Sequence, residues 1–234
     1  MKTTRNIVIA VDGHSSCGKS TVAKEIAKAI GIAYIDTGAM YRAVTLAALR
    51  QGLVAPSGPD EAAIAALLPS IVITFDFDKA LGRNTTYLNG ENVEDEIRAM
   101  PVSQSVSAVS AIPAVRLKLT EWQRQMGERQ SVIMDGRDIG TAVFPNADLK
   151  IFMTARPEVR AQRRFDEMVA KGQQPVFDDV LANVVERDRQ DSTRALNPLR
   201  KADDAVELDN SDISRQEQYD FILNLLTQRG LIEK

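Results

Sequence analysis

The sequence predicts an α/β fold in which a parallel sheet is flanked by helices. Short β-branched runs alternate with longer amphipathic segments, the pattern of strands joined by helical crossovers. The first such run leads into a helix through Gly13-His14-Ser15-Ser16-Cys17-Gly18-Lys19-Ser20. A break in the alternation over 57–96 predicts a small antiparallel insert within that core.

The elements follow in order. Core strands are expected at 7–11, 32–35, 131–134, 149–153 and 205–208. Between the first two lies a helix from Ser20, with Val22, Ile26 and Ile30 on one face and Gly31 as its stop. Asp36-Thr37-Gly38 then reads as a cap leading into a helix through Met40, Val44 and Ala47. Pro56, Ser57, Gly58 and Pro59 mark the entry to the insert, whose short strands fall at 71–75, 85–88 and 91–93. Asn89-Gly90 between the last two is a strong hairpin signal. The expected division is a core of 1–56 and 97–234 around an insert of 57–96.

Composition narrows the function classes. With 234 residues, 44% hydrophobic and 26% charged, the chain has globular proportions, which excludes a disordered or collagen-like protein. A net charge of −3, from 29 Lys+Arg and 32 Asp+Glu, argues against a protein that coats a nucleic acid polymer. One Cys allows no internal disulfide, and one Cys with one His cannot build the usual structural zinc site. A Ser-His-Asp arrangement would have to use His14. The apolar run 7–11 stops at Asp12, too short for a signal peptide, and no run approaches the roughly 20 residues of a membrane helix. A soluble, cytoplasmic protein that does not engage membranes is expected, working as a monomer.

The segment Gly13–Ser20 is a complete G-x-x-x-x-G-K-[ST] between a strand and a helix. Successive backbone N–H groups can wrap a phosphate, and the helix N-terminus adds a favourable dipole. Lys19 supplies a point charge for the β/γ oxygens, and the Ser20 hydroxyl can join Mg²⁺ coordination. His14 and Cys17 read as loop fillers, not catalysts. Such a loop specifies ATP or GTP and leaves the acceptor open.

Four other segments address the acceptor. Asp36-Thr37-Gly38-Ala39-Met40-Tyr41-Arg42 is expected to put a hydroxyl and an arginine in the first turn of a helix. Asp135-Gly136-Arg137-Asp138 ends a core strand, where open α/β sheets bind ligands. An ordinary turn with an exposed salt bridge is the alternative there. Ser103, Ser107 and Ser110 form a hydroxyl stripe opposite Val102, Val106 and Val109. Arg116 follows at the start of a helix with Val115, Leu119, Trp122 and Met126 inward. From Val180 and Val184 an apolar helical face continues into Arg187, Asp191 and Arg194, as if the helix left the core for a polar cleft. Upstream, Arg156, Arg160, Arg163 and Arg164 form a basic face that could close over a triphosphate.

Through GHSSCGKST, DTGAMYR, the insert ending near EIR, DGRDIGTAVFP and RDRQDSTR, the chain resembles the bacterial cytidylate kinase family over essentially its whole length. The resemblance implies a P-loop nucleoside-monophosphate-kinase fold with an NMP-binding insert and a short lid at about 156–172. It implies transfer from ATP, with Mg²⁺, to CMP or dCMP. The donor would lie on Gly13, His14, Ser15, Ser16, Cys17, Gly18, Lys19, Ser20 and Thr21, with Arg160 and Arg164 from the lid. Thr37, Ser107, Arg116 and Asp138 would meet the cytosine side. Arg42, Arg137 and Arg194 would hold the acceptor phosphate, with Arg187 and Asp191 on the sugar. Lys19, Arg137 and Arg194 would act in catalysis. His14 and Ser16 stand where the family more often has Pro and Gly.

The residue types suit that assignment. The cytosine 4-amino group donates to a carboxylate, whereas uracil presents an acceptor there and is repelled. Phosphoryl transfer depends on positioning and charge stabilisation, so no general base is needed for an anionic acceptor. A P-loop kinase for UMP, AMP or shikimate would share Lys19 with different acceptor contacts. A nucleotide-dependent switch is the rival outside enzymes.

Overall fold

A computed structural model describes residues 2–78 and 83–233. The chain forms two compact units, one of Met1–Ile35 with Arg124–Lys234 and one of Asp36–Gln123. The segment 57–96 lies wholly within the second.

The first unit is built on a five-stranded parallel sheet. In chain order its strands are β1 (Val8–Gly13), β2 (Ala33–Asp36), β3 (Val132–Gly136), β4 (Leu149–Thr154) and β5 (Val206–Asp209). Their spatial order is β5-β4-β1-β3-β2. Helix α1 (Lys19–Ile30) follows β1, and Gly31 ends it in the left-handed conformation at φ 72°, as its sequence requires. A helical pair, α2 (Pro157–Ala170) and α3 (Phe177–Thr193), comes between β4 and β5, and α4 (Arg215–Gln228) follows β5.

Continuous apolar runs make these strands suited to burial on both faces. Ile9, Val11, Ile133, Leu149, Ile151 and Met153 pack with Val22, Ile26 and Ile30 of α1 and with Ile222 and Leu226 of α4. The α2–α3 pair has its own small cluster of Ala161, Val180 and Val184, flanked by Phe165, Met168 and Phe177. Both β1 and β3 extend past their apolar runs, so Asp12 and Asp135 lie in paired strand ends. Asp12 is in register with Gly136, and Val11 with Asp135.

In the second unit Asp36 caps the helix Thr37–Arg50 by accepting from the Ala39 amide at 3.0 Å. The helix Met100–Ala111, and the helix Pro113–Arg129 that starts in this unit and runs past its last residue, Gln123, begin with or near proline. Strands Ile73–Asp78, Arg83–Leu88 and Glu91–Asn92 form an antiparallel sheet. Asn89 and Gly90 make the expected tight turn, both with positive φ, 51° and 84°.

Candidate functional site

The P-loop joins β1 to α1 at the C-terminal edge of the sheet. At Gly13, φ is 148° and a Cβ would fall 2.0 Å from the Met153 carbonyl oxygen, so only glycine lets the chain leave β1 here. Gly18 turns the loop into α1 at φ 83°, and Ser16 takes a left-handed φ of 59°. A glycine at that position would meet the same requirement without a Cβ. The Ser15 hydroxyl is buried and has no hydrogen-bond partner among the described residues, which suits a loop built to receive a polar ligand.

Lys19 is buried and folds back on the His14 carbonyl oxygen. Burial pushes its ammonium below the usual lysine range, and the nearby Arg137 adds to this. Cys17 lies in the core with Sγ 2.9 Å from the His14 carbonyl oxygen. Thr21 is on the exposed side of α1. Asn210 braces the loop from the end of β5, donating to the Cys17 carbonyl at 2.6 Å and to Gln218 at 2.9 Å.

Ser20 and Asp135 meet beside this loop. The Ser20 hydroxyl donates to Asp135 Oδ2 at 2.9 Å, and Tyr34 holds Oδ1 at 2.7 Å. A hydroxyl and a carboxylate at the head of a P-loop helix are hard oxygen donors of the kind Mg²⁺ takes, so these residues fit that ion.

The basic face of α2 divides into different roles. Arg160, 2% exposed, forks onto Asp188 of α3 and donates to the Ala155 carbonyl at 2.8 Å. It also reaches the Ser15 carbonyl at 3.4 Å. His14 Nδ1 lies 3.2 Å from the same Asp188. Burial pushes the Asp188 carboxyl up, but the contacts from His14 and Arg160 outweigh it and hold it at about 2. Arg163 binds Asn210, Arg156 forms an exposed pair with Asp212, and Arg164 is half-buried on the same helix.

A second cluster occupies the end of β3 and of α3. Arg137 Nε donates to Asp191 Oδ2 at 2.7 Å. Arg194 Nη2 donates to Asp138 Oδ1 at 3.3 Å, and its Nη1 lies 3.8 Å from Asp191. Burial opposes the Arg137 charge, yet Asp191 holds its guanidinium above the ordinary range. Asp191, although burial works against its charge, is held low by Arg137, Arg187 and Arg194. The apolar face of α3 does turn polar as the sequence predicts: Val180, Val184 and Asp191 are all buried.

The second unit contains the remaining expected residues. Thr37 opens its helix and is buried. Arg42 lies in the second turn, not the first, because the helix begins at Thr37. It donates to Ser103 Oγ at 3.0 Å and to the Ile97 carbonyl at 3.3 Å. The stripe holds: Val102, Val106 and Val109 are buried, whereas Ser103, Ser107 and Ser110 are partly exposed.

Arg116 is no surface charge. Its side chain is 1% exposed, donates to the Ser110 carbonyl at 3.1 Å and stacks 5.3 Å from the Tyr41 ring. Trp122 and Met126, expected inward on its helix, are only half-buried; Thr120 and Gln123 take buried positions there instead.

Asp12, Asp188 and Asn210 of the first unit have no role expected from the sequence but hold the site together, as does Asp135 at the expected ligand-binding strand end. In the sequence Asp12 is visible as the charge that ends the apolar run 7–11, which by itself assigns it no partner. Asp188 and Asn210 carry little local signal, since Arg160 lies 28 residues from Asp188 and Cys17 lies 193 residues from Asn210 in the chain.

Among the described residues no helix is long and apolar enough to cross a membrane. A structure of an uncharacterized protein from Eubacterium ventriosum, 11% identical, superposes with a TM-score of 0.53 over 95% of this chain and 99% of that one, a likeness of fold. The family model for cytidylate kinase matches residues 9–228. A cytidylate kinase from Porphyromonas gingivalis is 53% identical across 94% of this chain and 96% of its own length. One from Phocaeicola vulgatus is 52% identical across 92% and 93%. With a P-loop, a charged cluster on the neighbouring strand end and a family match over nearly its full length, the chain belongs to the cytidylate kinase family.

Proposed function

We propose that this chain transfers the γ-phosphoryl group of ATP to CMP or dCMP, giving ADP and CDP or dCDP. The observation that carries this reading is the cluster of Arg137, Asp138, Asp191 and Arg194 at the same sheet edge as the P-loop. Two half-buried guanidinium groups interleaved with two buried carboxylates suit a ligand having both an anionic group and polar donors.

In this reading the residues Gly13–Thr21 cradle the donor phosphates, and Arg160 and Arg164 of α2 add positive charge. Lys19 stabilises the charge that develops on the transferring group, together with Arg137 and Arg194. Mg²⁺, held through Ser20 and Asp135, would neutralise negative charge on the donor phosphates. The acceptor phosphate takes Arg42, Arg137 and Arg194, and the sugar takes Arg187 and Asp191. The cytosine takes Asp138, Arg116, Ser107 and Thr37. Asp138 accepts from the 4-amino group and repels the uracil oxygen at that position. The acceptor's anionic oxygen is itself the nucleophile, so no side chain need remove a proton.

The working form in this reading is a cytoplasmic monomer, and one cysteine in 234 residues is compatible with a reducing compartment. A coupled assay of ADP release over CMP, dCMP, UMP and AMP tests the reading. Turnover highest with the two cytidine nucleotides is expected. Preference for another acceptor, or slow hydrolysis indifferent to all four, would overturn it.

A further inference from the structure

Asp138 stands at the position that normally caps a helical turn. The segment Ile139–Val143 forms one wide turn, closed by the Phe144 amide on the Ile139 carbonyl at 2.7 Å. Its opening N–H groups need acceptors, and an aspartate in the cap position would ordinarily supply one. The Asp138 side chain makes no such bond. Asp12, from β1, does so in its place. Its two carboxylate oxygens accept separately from the Ile139 and Gly140 amides, each at 2.7 Å.

The surroundings favour this arrangement over an incidental one. Asp12 is 5% exposed, and burial drives its carboxyl up to about 6. A neutral side chain would avoid that cost, so retaining a carboxylate calls for two acceptor oxygens on adjacent donors. Gly140 permits the approach: a Cβ there would lie 3.3 Å from Asp12 Oδ2 and 3.1 Å from Lys150 Cδ. The Lys150 ammonium is directed elsewhere, to Pro145 and Asp204. Asp12 also immediately precedes Gly13, where the P-loop begins.

We infer that Asp12 is a positioning residue for acceptor recognition. By capping the turn after Asp138 from the neighbouring strand, it leaves the Asp138 carboxylate directed at ligand and at Arg194, in fixed relation to the donor loop. The inference rests on the reading of Asp138 as the group that distinguishes cytosine from uracil.

The test compares Asp12→Asn with Asp138→Asn, measuring kcat/KM for CMP and UMP and KM for ATP. The amide can accept from only one of the two backbone donors, so Asp12→Asn is expected to lower the CMP-over-UMP ratio about tenfold. KM for ATP should stay within about twofold, because the phosphates are held by the loop backbone. Adding Asp12→Asn to Asp138→Asn should lower the ratio no further, since both act on one contact. Asp12→Ser, smaller and neutral, provides the same readout if the amide variant does not fold. If Asp138→Asn collapses the ratio while a folded Asp12 variant leaves it unchanged, the positioning role is overturned and the base-reading role survives. If Asp138→Asn itself leaves the ratio unchanged, both fall.

Discussion

In the donor loop, the groups offered to an anion are backbone N–H donors from consecutive residues, with one lysine. At the ends of β3 and α3 they are guanidinium and carboxylate groups from residues up to 57 positions apart, Arg137 to Arg194. The loop's conformation depends on φ at Gly13, Ser16 and Gly18. The cluster depends on who pairs with whom, Arg137 with Asp191 and Arg194 with Asp138. The first kind of site is fixed by local backbone geometry. The second is sensitive to each partner, because removing one leaves the other buried with its charge uncompensated.

The largest effect should come from the single side chain on which the donor loop relies. Lys19→Ala is expected to lower kcat by about a thousandfold or more while the protein remains folded. Circular dichroism alongside steady-state rates checks this. Near-normal turnover in a folded variant would show that backbone donors alone suffice.

Next come the arginines, where the cluster should prove fragile. Truncating Arg42, Arg137 or Arg194 to alanine should each cost about 2–4 kcal/mol in kcat/KM for CMP. Losses within about 1 kcal/mol at all three would mark them as structural charges and put the acceptor phosphate elsewhere.

Two carboxylates, Asp12 buried and Asp188 half-buried, sharpen the contrast through pH, with opposite signs. Asp188 is held at about 2, so the stability it lends is present above about pH 4 and is lost as pH falls toward 2. Asp12, at about 6 against an ordinary 3.8, keeps a proton that the unfolded chain releases between those values. Stability therefore falls as pH rises through that window. Asp138 pushes Asp12 further up, and Lys19 opposes it. Denaturant unfolding of Asp12→Asn and Asp188→Asn against the parent should show difference curves of about 1–3 kcal/mol, one over pH 4–6 and the other below pH 4. Curves of the same sign would contradict the contacts described.

The smallest effect is expected inside the donor loop. Ser16→Gly removes a Cβ from a left-handed φ but loosens the unfolded chain, two terms of about 1 kcal/mol that oppose each other. Thermal unfolding should shift by only a few degrees, with KM for ATP nearly unchanged. A large loss of ATP binding would mean that the Ser16 side chain, and not just the backbone, contacts the donor.

Much of the molecule was legible from short stretches of residues. The five strands, the Gly31 stop, the Asp36 cap, the Asn89-Gly90 turn and the P-loop all depend on conformational preferences of neighbours in the chain. The serine stripe and the polar turn of α3 were legible too, because helical spacing alone sets which residues share a face. Arg42 shifted by one turn because the helix start, not the motif, decides its position. Burial of Arg116 was invisible, since nothing local distinguishes an arginine that stacks on Tyr41 from one that faces water. Only the tertiary structure decided that Asp12 caps the turn beyond Asp138, that Asp188 gathers His14 and Arg160, and that Asn210 braces the P-loop. Backbone conformation is set by energies between residues a few positions apart. The partner of a buried charge is chosen by whatever strand packing brings within hydrogen-bond reach, and no contiguous segment encodes that.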